Sequence, residues 1–142
     1  MLKVVLDTNV LVSAYLVPGG KPARILSLAS QNKLDIYLSP PILSEVKQTL
    51  LRPKLQRIHK ATAKEIAQFL KALTRVVLMT AGAKEVDAVR DDPEDNKILA
   101  CALEAGADFI VSGDHHLTDM KVFQDIPIVN PAAFLTFMDA RL

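Results

Sequence analysis

The chain alternates short apolar runs with longer stretches of helical period. Lys3-Val4-Val5-Leu6 is β-branched and apolar, and Asp7 stops it, which predicts a buried strand, the first of a sheet. Val10 to Leu16 predicts a short helix ended by Pro18-Gly19-Gly20, and Pro22 suits the first turn of a second helix running to about Asn32. Asp35-Ile36-Tyr37-Leu38 predicts a second strand. Ser39 before Pro40 has the form of an N-cap with proline at the first helical position, opening a helix to about Arg52. A short helix is expected over Lys54 to His59. Thr62 and Glu65 have the spacing of a capping box, opening a helix to about Arg75. Val76-Val77-Leu78-Met79 predicts a third strand.

Farther along, Asp92 before Pro93 is another N-cap signal, and Gly106 is a stop for the helix it opens. Phe109-Ile110-Val111 predicts a fourth strand, and Ile126 to Val129, broken by Pro127, a short fifth. Asn130-Pro131 opens a last helix. Strands and helices alternate, so the expected class is α/β with a mainly parallel sheet of roughly five strands. The pattern contains no internal repeat, linker or low-complexity segment, and residues 1–142 read as one domain.

Composition narrows the function classes. Half of the 142 residues are hydrophobic, too many for a disordered chain. The formal charge of +1 gives no global electrostatic case for a nucleic-acid or membrane partner, so any such case must rest on local clusters. A single cysteine, Cys101, excludes an internal disulfide and a zinc site built on several cysteines. No apolar run approaches the length of a membrane span, and the start lacks the pattern of a secretory signal, so a cytoplasmic location is expected.

The candidate chemistry lies in carboxylates. Asp7 follows the first strand, and Asp114 follows the fourth after Ser112-Gly113. Ligands of open parallel sheets bind outside the carboxyl ends of the strands, so these two acids are candidates for one site. Each alone reads equally well as a turn or cap residue. Asp95 is more informative. At about 100° per residue, Ile98, Leu99, Ala102 and Leu103 form the apolar face of its helix, and Asp95 projects from that face. Glu94, Lys97, Cys101 and Glu104 fall on the opposite, outer face. Glu45 lies at the edge of the arc formed by Ile42, Leu43, Val46 and Leu50, where pattern alone favours a solvated glutamate.

Taken in order, Val4-Val5-Leu6-Asp7-Thr8-Asn9-Val10, Ser44-Glu45-Val46, Asp92-Pro93-Glu94-Asp95-Asn96 and Val111-Ser112-Gly113-Asp114 resemble the motifs of the PIN-domain nuclease family. The tail from Ile126 to Phe134 resembles that family's last strand and helix. The resemblance implies a three-layer sandwich of helices around a parallel sheet, with Asp7, Glu45, Asp95 and Asp114 converging at its carboxyl edge to hold Mg²⁺ or Mn²⁺. It makes Thr8 and Ser112 candidate hydroxyls near the metal, and Asn9 and Asn96 candidate supporting groups. It implies hydrolysis of RNA. Many small members are toxins of toxin–antitoxin pairs, which implies a small antitoxin protein as partner and, with the high apolar content, a homodimer.

The remaining signals are weaker. His115-His116, directly after Asp114, departs from the family pattern and reads first as exposed loop. Gly19-Gly20-Lys21 lacks the glycine spacing of a phosphate loop. Lys47, Arg52, Lys54, Arg57, Lys60 and Lys64 occupy a stretch with no acid between Glu45 and Glu65. Lys54 and Arg57 are the candidate RNA-backbone contacts there. Two other readings place acids at strand ends or keep the fold: an aspartyl-phosphate phosphotransferase or receiver domain, and a catalytically degenerate PIN-like binding module. The first expects an aspartate where Asn9 stands or after the third strand, and neither is present.

Overall fold

A computed structural model of the chain describes residues 1–86 and 93–141. Its elements run β1 (Lys3–Leu6), α1 (Thr8–Leu16), α2 (Lys21–Ser30), β2 (Asp35–Leu38), α3 (Pro40–Leu50), α4 (Pro53–His59), α5 (Ala63–Val76), β3 (Leu78–Met79), α6 (Pro93–Ala105), β4 (Phe109–Val111), α7 (His115–Thr118), β5 (Val122–Phe123), β6 (Ile126–Val129) and α8 (Pro131–Arg141). The strands form one sheet in the order β3-β2-β1-β4-β6-β5, parallel except for the β5–β6 pair. The class is α/β with a mainly parallel sheet. The strands among the described residues number six rather than five.

The helices divide between the two faces for a topological reason. Right-handed crossovers from β1 to β2 to β3 put α1, α2 and α3 to α5 on one face. The return across the sheet from β3 to β4 reverses direction and so carries α6 to the other face, where it packs on β1, β2 and β4. The last helix, α8, packs on α2 and completes the first layer. Val4, Val5 and Leu6 of the central strand are fully buried, as a strand covered on both faces requires.

Local signals act largely as their chemistry predicts. The Thr62–Glu65 box closes both bonds at 3.1 Å. The Ser39 hydroxyl accepts from the Ile42 N–H, and the Asn130 carbonyl accepts from the Ala133 N–H at 2.7 Å. The N-cap expected at Asp92 lies outside the described residues.

Two strand expectations need correction. The third strand is not Val76–Met79: the Val77 N–H bonds to the Leu73 carbonyl, extending the α5 turn so that only Leu78 and Met79 pair with β2. The added strand, β5, forms a hairpin with β6 through Gln124 and Asp125. Both have positive φ, 45° and 67°, in a two-residue turn. Such turns favour glycine and asparagine, and this one carries neither glycine nor the usual asparagine-glycine signal.

Candidate metal centre at the carboxyl edge

The chain leaves β1 toward β2 and returns on the other side at β4, so the crevice between β1 and β4 is the switch point of the sheet. Asp7 ends β1 and caps α1 from an extended backbone conformation. It is buried, and its Oδ2 accepts from the Ser112 hydroxyl at 2.6 Å. Ser112, fully buried after β4, uses the same oxygen to accept from the Asp114 N–H at 2.9 Å. One hydroxyl thus ties the two strand ends together. Burial raises the Asp7 pKa; the Ser112 hydroxyl and the backbone N–H of Asn9 partly offset this, and the Asp114 charge adds to the rise.

Asp114 is half-buried and does what its capping pattern suggests: Oδ1 accepts from the His116 N–H at 2.9 Å and opens α7. A ligand-capable atom of Asp95, one of Asp114 and one of His116 lie within 4.8 Å of one another. Asp95 stands in the first turn of α6 and is 4% exposed, as its place on the apolar face predicts.

Glu45 corrects the reading from pattern. It is buried, not solvated, because α6 packs against α3 on that edge. Lys97 of α6 reaches to 3.7 Å from Glu45 Oε2, an oxygen that is buried and makes no hydrogen bond among the described residues. Burial, then a hydrogen bond and like charge from Glu94, push the Glu45 pKa up to about 7, with Lys97 pulling the other way. Glu45 also feels the Asp7 charge. Glu45 and Asp7, Asp7 and Asp114, and Asp114 and Asp95 are therefore neighbours in turn.

Among the supporting candidates, Ser112 is at the centre. Thr8 is buried at the start of α1, beside Asp7. Asn9 is exposed, and it is its backbone N–H that faces the Asp7 carboxylate. Asn96 is half-buried and lines a cavity beside α6.

The donor set fits a hard divalent cation. It is made almost wholly of carboxylate oxygens, some buried, with charges that repel in the absence of a cation and with one oxygen of Glu45 left without a hydrogen bond. The imidazole of His116 would suit Mn²⁺ better than Mg²⁺.

Residues 3–116 match the family profile of the PIN domain. The chain belongs to the PIN-domain nuclease family. It is 35% identical over 120 residues to the uncharacterized protein MJ1680 of Methanocaldococcus jannaschii, an alignment spanning 84% of this chain and 76% of that protein. Two solved structures share the fold, each with a TM-score of 0.65. One is VapBC2 of Rickettsia felis bound to a DNA fragment from its promoter, at 15% identity over 91% of this chain and 98% of that one. The other is PAE2754 of Pyrobaculum aerophilum, at 14% identity over 98% of this chain and 90% of that one.

Cys101 of this PIN domain is not on an outer face. The segment after β3 wraps over that side of α6, so Cys101 is 1% exposed, with its Sγ 3.9 Å from both the Tyr37 carbonyl and the Thr80 hydroxyl. Burial pushes its pKa up to about 11, which keeps it a thiol and a poor nucleophile. Lys54 and Arg57 are exposed on α4, beyond the end of α3; the five residues from Glu45 to Leu50 alone rise about 7.5 Å along the helix. Among the described residues Lys97 pairs with Glu45 at 3.7 Å, and Lys84 lines a small pocket together with Lys97.

Proposed function

We propose that this PIN domain is a metal-dependent endoribonuclease in which Asp7, Glu45, Asp95 and Asp114 hold Mg²⁺ or Mn²⁺. The observation that carries the reading is the chain of acids at the β1–β4 switch point, buried enough that a cation is needed to relieve their repulsion. Such a cation lowers the pKa of a bound water and offsets phosphate charge. Ser112 orients Asp7 and, through the Asp114 N–H, the loop after β4. Thr8 and the N–H groups at the start of α1 keep Asp7 aimed across the crevice. His116 adds a further donor beside Asp95 and Asp114. Lys54 and Arg57 are read as a more distant contact for the RNA backbone.

The likeness of the fold to VapBC2 supports a role as the toxin of a toxin–antitoxin pair, working in the cytoplasm, with a small antitoxin and a second copy of the chain as partners. No helix of the described residues is long and apolar enough to cross a membrane.

The test combines cleavage and melting. RNA cleavage by the wild type should vanish in EDTA and return with Mg²⁺ or Mn²⁺. Asp95→Asn keeps the side-chain shape and helix-start hydrogen bonding, yet it should cut activity by roughly 10²-fold or more and reduce the melting shift given by metal. Induced wild type should arrest growth, and Asp95→Asn should not. Full cleavage in excess chelator, or an Asp95→Asn protein with wild-type cleavage and metal shift, would overturn the assignment.

A further inference from the structure

Beside the carboxylates lies a cavity of about 540 Å³ between α6, the start of α3 and the segment after β3. Among the described residues its apolar walls are Pro41, Val86, Pro93 and Ala100, and its charged lining is Lys84, Lys97 and the carboxylate of Glu85. A volume of this order is typical of sites that receive small organic groups, about 300–1,000 Å³. The wall formed by the segment after β3 is pinned from two sides. The Glu104 carboxylate of α6 accepts from the Gly82 and Ala83 N–H groups at 2.9 and 3.0 Å. Hydrogen bonds from Thr80 and from this backbone lower the Glu104 pKa, so it stays a carboxylate. On the other side Gly82, at φ +74°, sits so close to Pro40 and Pro41 that a Cβ would come within 3.1 and 3.2 Å of their rings. The wall made by residues 80–83 is therefore held in place.

Lys97 belongs to both places. It approaches Glu45 at 3.7 Å and also lines the cavity, with its side chain 42% exposed. A pair that long and that exposed leaves the ammonium able to turn toward a phosphate. A pocket with apolar walls and two ammonium groups against one carboxylate, Glu85, linked to the acidic cluster through Lys97, suits one anionic, partly apolar unit of a polymer.

We propose that this cavity is a subsite for one nucleotide of single-stranded RNA beside the cleaved phosphodiester. Lys84 and Lys97 hold its phosphate, and the base and sugar lie against Pro41, Val86 and Pro93. The proposal rests on the nuclease reading above. Among the described residues the walls hold no aromatic ring, so the base is received by apolar contact without strong stacking.

The test measures binding of a short fluorescein-labelled single-stranded RNA by anisotropy in EDTA, across a range of salt, beside cleavage in Mn²⁺. Lys84 is exposed, so Lys84→Glu should leave the melting temperature unchanged. It should weaken binding roughly 5- to 10-fold and lower the salt slope by about 0.7, the value of one phosphate contact on a single strand. KM should rise while kcat stays within about twofold, the mark of lost uniform binding. Lys33→Glu, an exposed change at the opposite edge of the sheet, should alter the slope less. Glu104→Ala, which frees the pinned wall, should weaken binding while leaving the slope near wild type, because Lys84 remains. If wild type binds and cleaves RNA but Lys84→Glu matches it in affinity, slope and KM, the subsite is overturned and the nuclease reading stands. A wild type that neither binds nor cleaves RNA overturns both. A Lys84→Glu protein that loses binding to DNA and not to RNA overturns the RNA assignment of the cavity.

Discussion

The two halves of the carboxylate cluster are built on opposite principles. The half carried by the sheet, Asp7 with Ser112 and Asp114, is tied by short hydrogen bonds between the ends of neighbouring strands. The half carried by helices, Glu45 beside Glu94 and Lys97, is buried with little to satisfy it: one long ion pair, a like-charged neighbour and an oxygen without a hydrogen bond. The bonds of the first half offset part of the cost of burying Asp7, whose pKa is still raised. The second has less to offset its cost, a hydrogen bond with Glu94 and the distant Lys97, and a bound cation would relieve it. Rigid placement and affinity for metal are thus divided between two elements rather than traded off within one.

Removing the tie should have the largest effect on stability. Ser112→Ala deletes the donor to Asp7 and leaves the Asp114 N–H without its acceptor, a loss of about 1–3 kcal/mol, or roughly 3–10 °C in melting temperature. Glu45→Gln should do the reverse in EDTA, raising the melting temperature by a few degrees while abolishing most activity. A Glu45→Gln protein that melts lower than wild type without metal, or a Ser112→Ala protein that melts with it, would erase the distinction between the halves.

The pH profile sharpens the same comparison with a smaller effect. Glu45 titrates near 4.5 in the unfolded chain and near 7 in the fold, and Asp7 is raised as well. Between those values the native state holds more protons than the unfolded one, so stability falls as pH rises through the window. In EDTA the melting temperature should therefore be several degrees higher at pH 5 than at pH 8, and Glu45→Gln should flatten most of that slope. Saturating Mg²⁺ should flatten it too. A melting temperature that rises from pH 5 to pH 8 in EDTA would reverse the sign assigned to the helical half.

The smallest effect is expected outside both halves. Replacing Lys54 and Arg57 together with alanine should weaken RNA binding by roughly threefold and reduce its salt dependence, with the melting behaviour of the cluster untouched. An unchanged salt slope would confine substrate contacts to the cavity side of the cluster.

Much of this was legible in the sequence where a residue's own element decided its place. Asp95 could be put inside because four nearby positions of α6, Ile98, Leu99, Ala102 and Leu103, define a face. The capping box at Thr62 and the stop at Gly106 are local chemistry, and Gly106 indeed adopts a positive φ of 63°. The failures come from neighbours distant in sequence. Glu45 and Cys101 lie off the apolar arcs of their own helices, yet both are covered, Glu45 by α6 and Cys101 by the segment after β3. Helical periodicity describes one helix against one surface and is silent about a second surface. His116 and Lys97 went unassigned for a related reason: each gains meaning only from a partner on another element.

The bond between Ser112 and Asp7 spans 105 positions of the chain. During synthesis, which proceeds from the amino end at about 5–20 residues per second, β1 has β2 on one side and nothing on the other until Phe109–Val111 emerges. Until then Asp114 does not exist and Asp7 has no serine to hold it. A growing chain that has not reached Ser112 and Asp114 therefore lacks the assembled carboxylate cluster. With RNA as the proposed substrate, that order of assembly keeps the blade sheathed beside the very messenger that encodes it.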